Sequence, residues 1–170
     1  LLMQFLYNST KLSTFMINLI EGILRLIILM AYLTLIRKME DIKRVFSYHG
    51  AEHKTINAYE HGDSLEVASV QKYSTAHPRC GTSFLLTVMV ISALVFSIFS
   101  VPNIFLRLLS RIVLIPLVAM ISYEFIRILG RYEKNPLVKI LSKPNLWLQK
   151  LTTNQPSDDM VEVSLCAFKR

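Results

Sequence analysis

Two cysteines in 170 residues, Cys80 and Cys166, are too few and too unlike in context for a disulfide framework. A reduced, cytoplasm-facing setting fits that scarcity. Acidic residues are also sparse: 12 Asp and Glu stand against 19 Lys and Arg, for a net charge of +7. Nucleic acid is one partner for such a balance. The basic bias of short membrane loops accounts for it more simply, so no nucleic-acid partner is expected. No internal repeat or low-complexity segment is present. Residues 1–7 are too short for a signal-peptide core with its charged flank and cleavage site. They read instead as the end of an earlier span. Histidine is sparse too, and all 4 lie within residues 49–77.

Apolar residues are what the chain has in quantity. At 52% they only slightly exceed the share in soluble domains, about 45–50%. Their concentration into runs is the informative feature. A helix needs about 20 mostly apolar residues at about 1.5 Å each to cross a bilayer. Residues 15–36, 84–101 and 108–129 meet that length. Pro116 inside the third predicts a kink. Glu21 and Arg25 lie in the first, an i,i+4 pair able to neutralise itself. Such ionisable groups serve either as an internal ion pair or as a proton or substrate contact. Basic residues gather in 37–83 and 130–170 but hardly at all around the Pro102–Asn103 turn. That asymmetry places the loop and the tail in the cytoplasm.

The expected fold is therefore all-α: one integral membrane helical bundle over residues 1–170, multi-pass in the cell membrane. It has about three full transmembrane helices, a cytoplasmic His/Cys loop at 37–83 and short C-terminal helices in 130–170. Its first partner is the lipid bilayer, and homo-oligomerisation is open. Within the loop, residues 48–60 carry a helical pattern with Ser47 as N-cap and Gly62 as its stop. Residues 64–70 alternate weakly, as a short strand or a loop. In the tail, Asn135-Pro136 and Lys143-Pro144 both read as helix starts. Leu146, Trp147, Leu148 and Leu151 suit the membrane interface. A last helix starts near Pro156, with Cys166 as a buried small hydrophobe on it.

The chemistry concentrates in S-Y-H-G-A-E-H-K, which holds His49, Glu52 and His53 as H-x-x-E-H. On a helix, i and i+4 share a face, so the two imidazoles meet one ion, with Zn the expected divalent metal. Glu52 is placed as a third ligand or as a base toward water whose pKa the metal lowers. A distant carboxylate would complete such a site. Glu124 is one candidate, and Glu60 is a nearer one on a similar helical face. A second element, His77-Pro78-Arg79-Cys80-Gly81, offers two more Zn ligands in His77 and Cys80. Arg79 is suited to clamping an anion. The plainer readings are solvation for His61, a structural cap on the span for His77 and Cys80, and loop cover for Tyr48 and Tyr59.

FSYHGAEHKTINAYEHG, HPRCGTSFL, SYEFIRILGR, NPLVK and LTTNQPSDDMVEVSL together resemble the YqhQ-like family. The likeness extends from Glu21-Gly22 to the last helix. It implies a multi-pass bacterial membrane protein of a domain-of-unknown-function family, described as predicted metal-dependent enzymes. By resemblance, the family's pattern falls on His49, Glu52, His53, Glu60, His77, Arg79, Cys80 and Glu124. Members usually begin with a glycine-rich cytoplasmic segment and an earlier span, which these residues do not include.

Three functions follow from these features. One is a metal-dependent hydrolase at the cytoplasmic membrane surface, with a peptide, a lipid headgroup or a phosphoester as substrate. The second is a scaffold or regulator stapled by a closed four-ligand metal, His49, His53, His77 and Cys80. The third is a transporter using Glu21, Arg25 and Glu124 as an ion path.

Overall fold

The computed structural model describes residues 13–99 and 103–169. The span end expected at 1–7 and the Pro102 half of the expected turn lie outside the described residues. Among those residues there are seven helices and no strand. They are α1 (Thr14–Ile36), α2 (Glu40–Glu60), α3 (Val67–Val70), α4 (Gly81–Ile98), α5 (Ile104–Arg131), α6 (Pro136–Thr152) and α7 (Asp158–Phe168).

Three stretches, Phe15–Ile36, Gly81–Ile98 and Phe105–Arg131, are long and apolar enough to cross a membrane. Their burial is inverted relative to a water-soluble bundle. Ser83, Thr87, Ser97 and Ser122 are buried, while Ile28, Leu35, Phe105 and Val113 point outward. In lipid, helices gain nothing by hiding leucine from one another. Contacts therefore go to small and hydroxyl-bearing side chains. Gly22 shows the consequence: a Cβ there would stand 2.4 Å from the Cβ of Ala93, so only glycine lets α1 and α4 approach this closely. Thr87, Ser97 and Ser122 each donate their hydroxyl to a main-chain carbonyl one turn back, and the Ser83 hydroxyl accepts from the Gln149 amide. Helix α4 is the centre, packed on α1, α5 and α6.

The extramembrane part is a separate small core. Ala51 and Ala58 of α2, Val70 of α3, and Val161 and Leu165 of α7 bury one another. Lys54 crosses it, almost fully buried, and its Nζ donates to the carbonyls of Gln71 (2.7 Å) and Tyr73 (2.8 Å). Those two bonds pin the segment after α3 to α2.

Several expectations are corrected. Helix α2 starts at Glu40, a full two turns before Ser47, with Glu40 and Asp41 favourably placed at its positive end. Ser47 is inside that helix, and its hydroxyl donates back to the Lys43 carbonyl instead of capping. Residues 67–70 form one helical turn, because Val70 is the plug of the α2–α7 core. Pro144 does not start a helix: it sits inside α6, which runs unbroken from its Asn135 cap. Pro144 is exposed, so the carbonyl its missing N–H leaves without a partner is open to water or lipid headgroups. Cys166 is exposed, since Val161 and Leu165 take the buried face of α7. Leu148 is buried while Trp147 is outside. The stop at Gly62 holds, with φ of 71° in the left-handed region that glycine adopts freely.

Candidate metal centre

Helix α2 presents His49 and His53 one turn apart, with ring centroids 4.3 Å apart. The Nδ1 of His49 lies 2.9 Å from the carbonyl oxygen of Thr152, at the end of α6. The Nδ1 of His53 lies 2.7 Å from the carbonyl oxygen of Thr75, in the loop before α4. A carbonyl only accepts, so both Nδ1 atoms carry protons. In the neutral imidazoles both Nε2 atoms are thereby left as lone pairs. The Nε2 of His49 stands 3.2 Å from the Sγ of Cys80.

Cys80 caps α4. Its Sγ accepts the Thr82 N–H at 3.4 Å and lies 3.2 Å from the Thr82 hydroxyl. Burial pushes this thiol up, but hydrogen bonds from His49, His53 and Thr82 outweigh it and bring its pKa down to about 5. The same contact works in the opposite sense on the imidazole. The Cys80 hydrogen bond raises His49 above its ordinary value, against burial, with help from the Thr152 carbonyl and the Glu52 charge. The contact therefore favours the charged form of each group.

His49, His53 and Cys80 form a group that could hold a metal ion, with one donor atom from each and all three within 4.8 Å of one another. A tetrahedral zinc with bonds of about 2.1 Å to nitrogen and about 2.3 Å to sulfur spaces its ligands by about 3.3–3.7 Å. The His49 Nε2–Cys80 Sγ separation of 3.2 Å is close to that spacing, and the His53 donor lies within 4.8 Å of both. Nδ1–H bonded to a carbonyl and Nε2 free is also the arrangement that metal-binding histidines show. The residues present fit the ion.

The other sequence candidates lie around the cluster or apart from it. Glu52 is exposed on α2, near enough for its charge to act on His49. The His77 ring is 5.9 Å from that of His53 but engages elsewhere. Its Nδ1 accepts the Arg79 N–H, and its Nε2 lies 3.1 Å from Glu60. Both ring nitrogens are thus occupied. Glu60 also takes the Arg79 guanidinium at 2.6 Å, and the Arg79 stem lies over Gly130, where a Cβ would come within 2.7 Å of it. Glu124 is on α5 and pairs with Arg127 at 3.1 Å, outside the three-residue group. Far along the bundle, Glu21 binds Arg25 and also Arg111 of α5, the latter at 3.3 Å.

Sequence reasoning missed the supports. Gln149 of α6 is fully buried and threads between segments: it accepts the His77 N–H at 2.8 Å, and donates to the His77 carbonyl at 2.7 Å and to Ser83 at 2.6 Å. The carbonyls of Thr75 and Thr152 have no side-chain mark in a sequence. Only the polar face of α6, with Asn145, Gln149 and Thr152 at helical spacing, was available as a signal.

Residues 1–170 match the family described as protein of unknown function (DUF1385). A Bacillus subtilis (strain 168) protein described as uncharacterized protein YqhQ is 41% identical over 149 residues, covering 88% of this chain and 47% of that protein. The chain thus spans about half the length of that curated relative. No solved structure matches.

Proposed function

The chain belongs to the DUF1385 family, and from that premise we propose that it is a metal-dependent hydrolase seated in the cell membrane. Its site would face the cytoplasm, at the membrane end of α4. The observation that carries this reading is the pair of histidines, each with Nδ1 tied to a main-chain carbonyl and Nε2 left beside Cys80. His49, His53 and Cys80 would hold one zinc ion. Three protein ligands leave a fourth position open, the arrangement of catalytic rather than structural zinc. When bound, the ion supplies Lewis acidity and brings the pKa of water toward about 7.

The protein's own groups take the remaining roles. Glu52, exposed beside His49, accepts a proton from water. Arg79 is half exposed and already paired with Glu60, so it serves an anionic substrate group only by sharing that carboxylate's cation. The substrate is a peptide, a lipid headgroup or a phosphoester that reaches the membrane surface.

A closed structural site is the second reading. It needs His77 as fourth ligand, and His77 instead spends both nitrogens on Arg79 and Glu60. The deciding experiment is elemental analysis of purified protein, wild type against His53→Ala. The expected result is one zinc equivalent, lost in the variant. No metal in either protein would overturn the proposal. Glu52→Gln should then keep the metal and lose turnover. Four protein ligands by X-ray absorption would favour the scaffold instead.

A further inference from the structure

Helix α6 is packed inside out. Ser142, Asn145, Gln149 and Thr152 are buried. They dock on the first turns of α4, where Asn145 donates to Thr87 at 3.3 Å and Gln149 to Ser83 at 2.6 Å. Apart from the buried Leu148, the large apolar residues with the most exposure point the other way: Leu137, Ile140, Leu141 and Trp147 are 55–69% exposed. Lys139, Lys143 and Lys150 are exposed as well, and α6 contains no Asp or Glu.

At about 100° per residue these three groups fall into three separate sectors of the helix. The polar sector meets α4. The apolar and basic sectors lie side by side on the outward surface. An apolar stripe of this size does not persist against water, and its basic border selects what covers it. An apolar layer edged by negative charge is the interior and headgroup boundary of an anionic leaflet. The location agrees, because Ser83 and Thr87 belong to the end of span α4 that carries Cys80. Lysine stems lie along apolar surface while their ammonium groups reach the phosphates.

We propose that the outward face of α6 is a docking surface for anionic phospholipids in the leaflet beside the His49–His53–Cys80 cluster. Leu137, Ile140, Leu141 and Trp147 lie among acyl chains, and Lys139, Lys143 and Lys150 meet the headgroup phosphates. This holds whether or not the cluster binds metal.

Trp147 is the only tryptophan in the sequence, so intrinsic emission reports on α6 alone. The full chain is reconstituted in phosphatidylcholine nanodiscs containing a small fraction of acyl-brominated phosphatidylglycerol or, separately, acyl-brominated phosphatidylcholine. Quenching by both lipids is expected. Each basic side chain near an anionic surface gives about a fivefold preference, so the phosphatidylglycerol should quench with at least about fivefold higher apparent affinity. The Lys139→Gln/Lys143→Gln/Lys150→Gln variant should lose that advantage while still being quenched by both. Its side chains are exposed, so the buried face stays intact. Equal quenching of wild type by the two lipids overturns the charge selectivity. Quenching by aqueous acrylamide but not by lipid overturns the proposal in favour of a soluble partner. Insensitivity to all three overturns it in favour of a protein covering such as a second copy.

Discussion

Gly50 lies between His49 and Ala51, on the buried side of α2. A Cβ at this position would stand 2.1 Å from the carbonyl oxygen of Asn154 and 3.3 Å from the Thr75 Cγ2, against an ordinary contact of 3.4–4 Å. The obstacle is backbone, so no side-chain rotation relieves it. In Gly50→Ala the segment around Asn154 must back away by more than an ångström. That segment carries Thr152, whose carbonyl holds the His49 Nδ1 at 2.9 Å. On the other side is Thr75, whose carbonyl holds His53. One methyl group thus disturbs both of the bonds that fix the two histidine tautomers. Losing an outer partner of this kind costs about 10–100-fold in metal affinity. Fold stability changes less, because overpacking of about 1–3 kcal/mol is partly offset by the gain of about 1 kcal/mol when alanine replaces glycine in a helix. Gly81→Ala is the matched control: it adjoins Cys80, and its Cβ would meet nothing within 4 Å. The assay is zinc competition against a chromophoric chelator, in detergent, with thermal unfolding in parallel. The expected result is a weakened Gly50→Ala and an unchanged Gly81→Ala. Wild-type affinity in Gly50→Ala would refute the claim that these carbonyls set the site.

Two further outcomes follow from the same contacts. The Cys80 thiol, held at about 5 from an ordinary 9.0, is a thiolate at neutral pH when no metal is bound. In metal-free protein on a Cys166→Ser background, alkylation by iodoacetamide should already be near its plateau at about pH 7 and fall as pH drops through the thiol's pKa. His49→Ala should move that profile upward, and bound zinc should suppress labelling. A profile centred near the ordinary thiol value would show that the His49 contact is wrong. Gln149→Ala strands the His77 N–H and carbonyl and the Ser83 hydroxyl in a buried site. It should destabilise the fold by about 2–4 kcal/mol, read as a lowered thermal midpoint in detergent. An unshifted midpoint would show that water replaces the amide at no cost.

The three spans were legible because a hydrophobic run needs no partner to announce itself: 15–36 against Phe15–Ile36, 84–101 against Gly81–Ile98, about a turn earlier, and 108–129 inside the longer Phe105–Arg131. The i,i+4 histidines were legible for a similar reason, since helical spacing is local. Cys80 was visible as a candidate, but its pairing with His49 depends on how the loop from 61 to 79 folds back, and that depends on Lys54 reaching two carbonyls. The first two turns of α2 were hidden because Glu40–Phe46 has charged residues and no clear apolar stripe, while Ser47 offered a plausible cap. The supports of the site were not legible at all. A main-chain carbonyl is the same at every residue, so nothing in the letters distinguishes Thr75 or Thr152. Glu124 shows the opposite failure: a carboxylate at a suggestive position whose nearest cation, Arg127, is three residues along its own helix.

The Thr152 carbonyl has a consequence for how the protein is made. It lies 103 residues after the His49 ring that it orients. During synthesis α2 and span α4 are complete, and Cys80 is available, well before that carbonyl exists. Until α6 has been translated and laid against α4, His49 is free to carry its proton on either nitrogen. The arrangement of two Nε2 atoms facing one sulfur is therefore among the last things the growing chain acquires. A molecule stalled with its spans inserted but α6 undocked would have all three residues of the cluster and still lack its geometry.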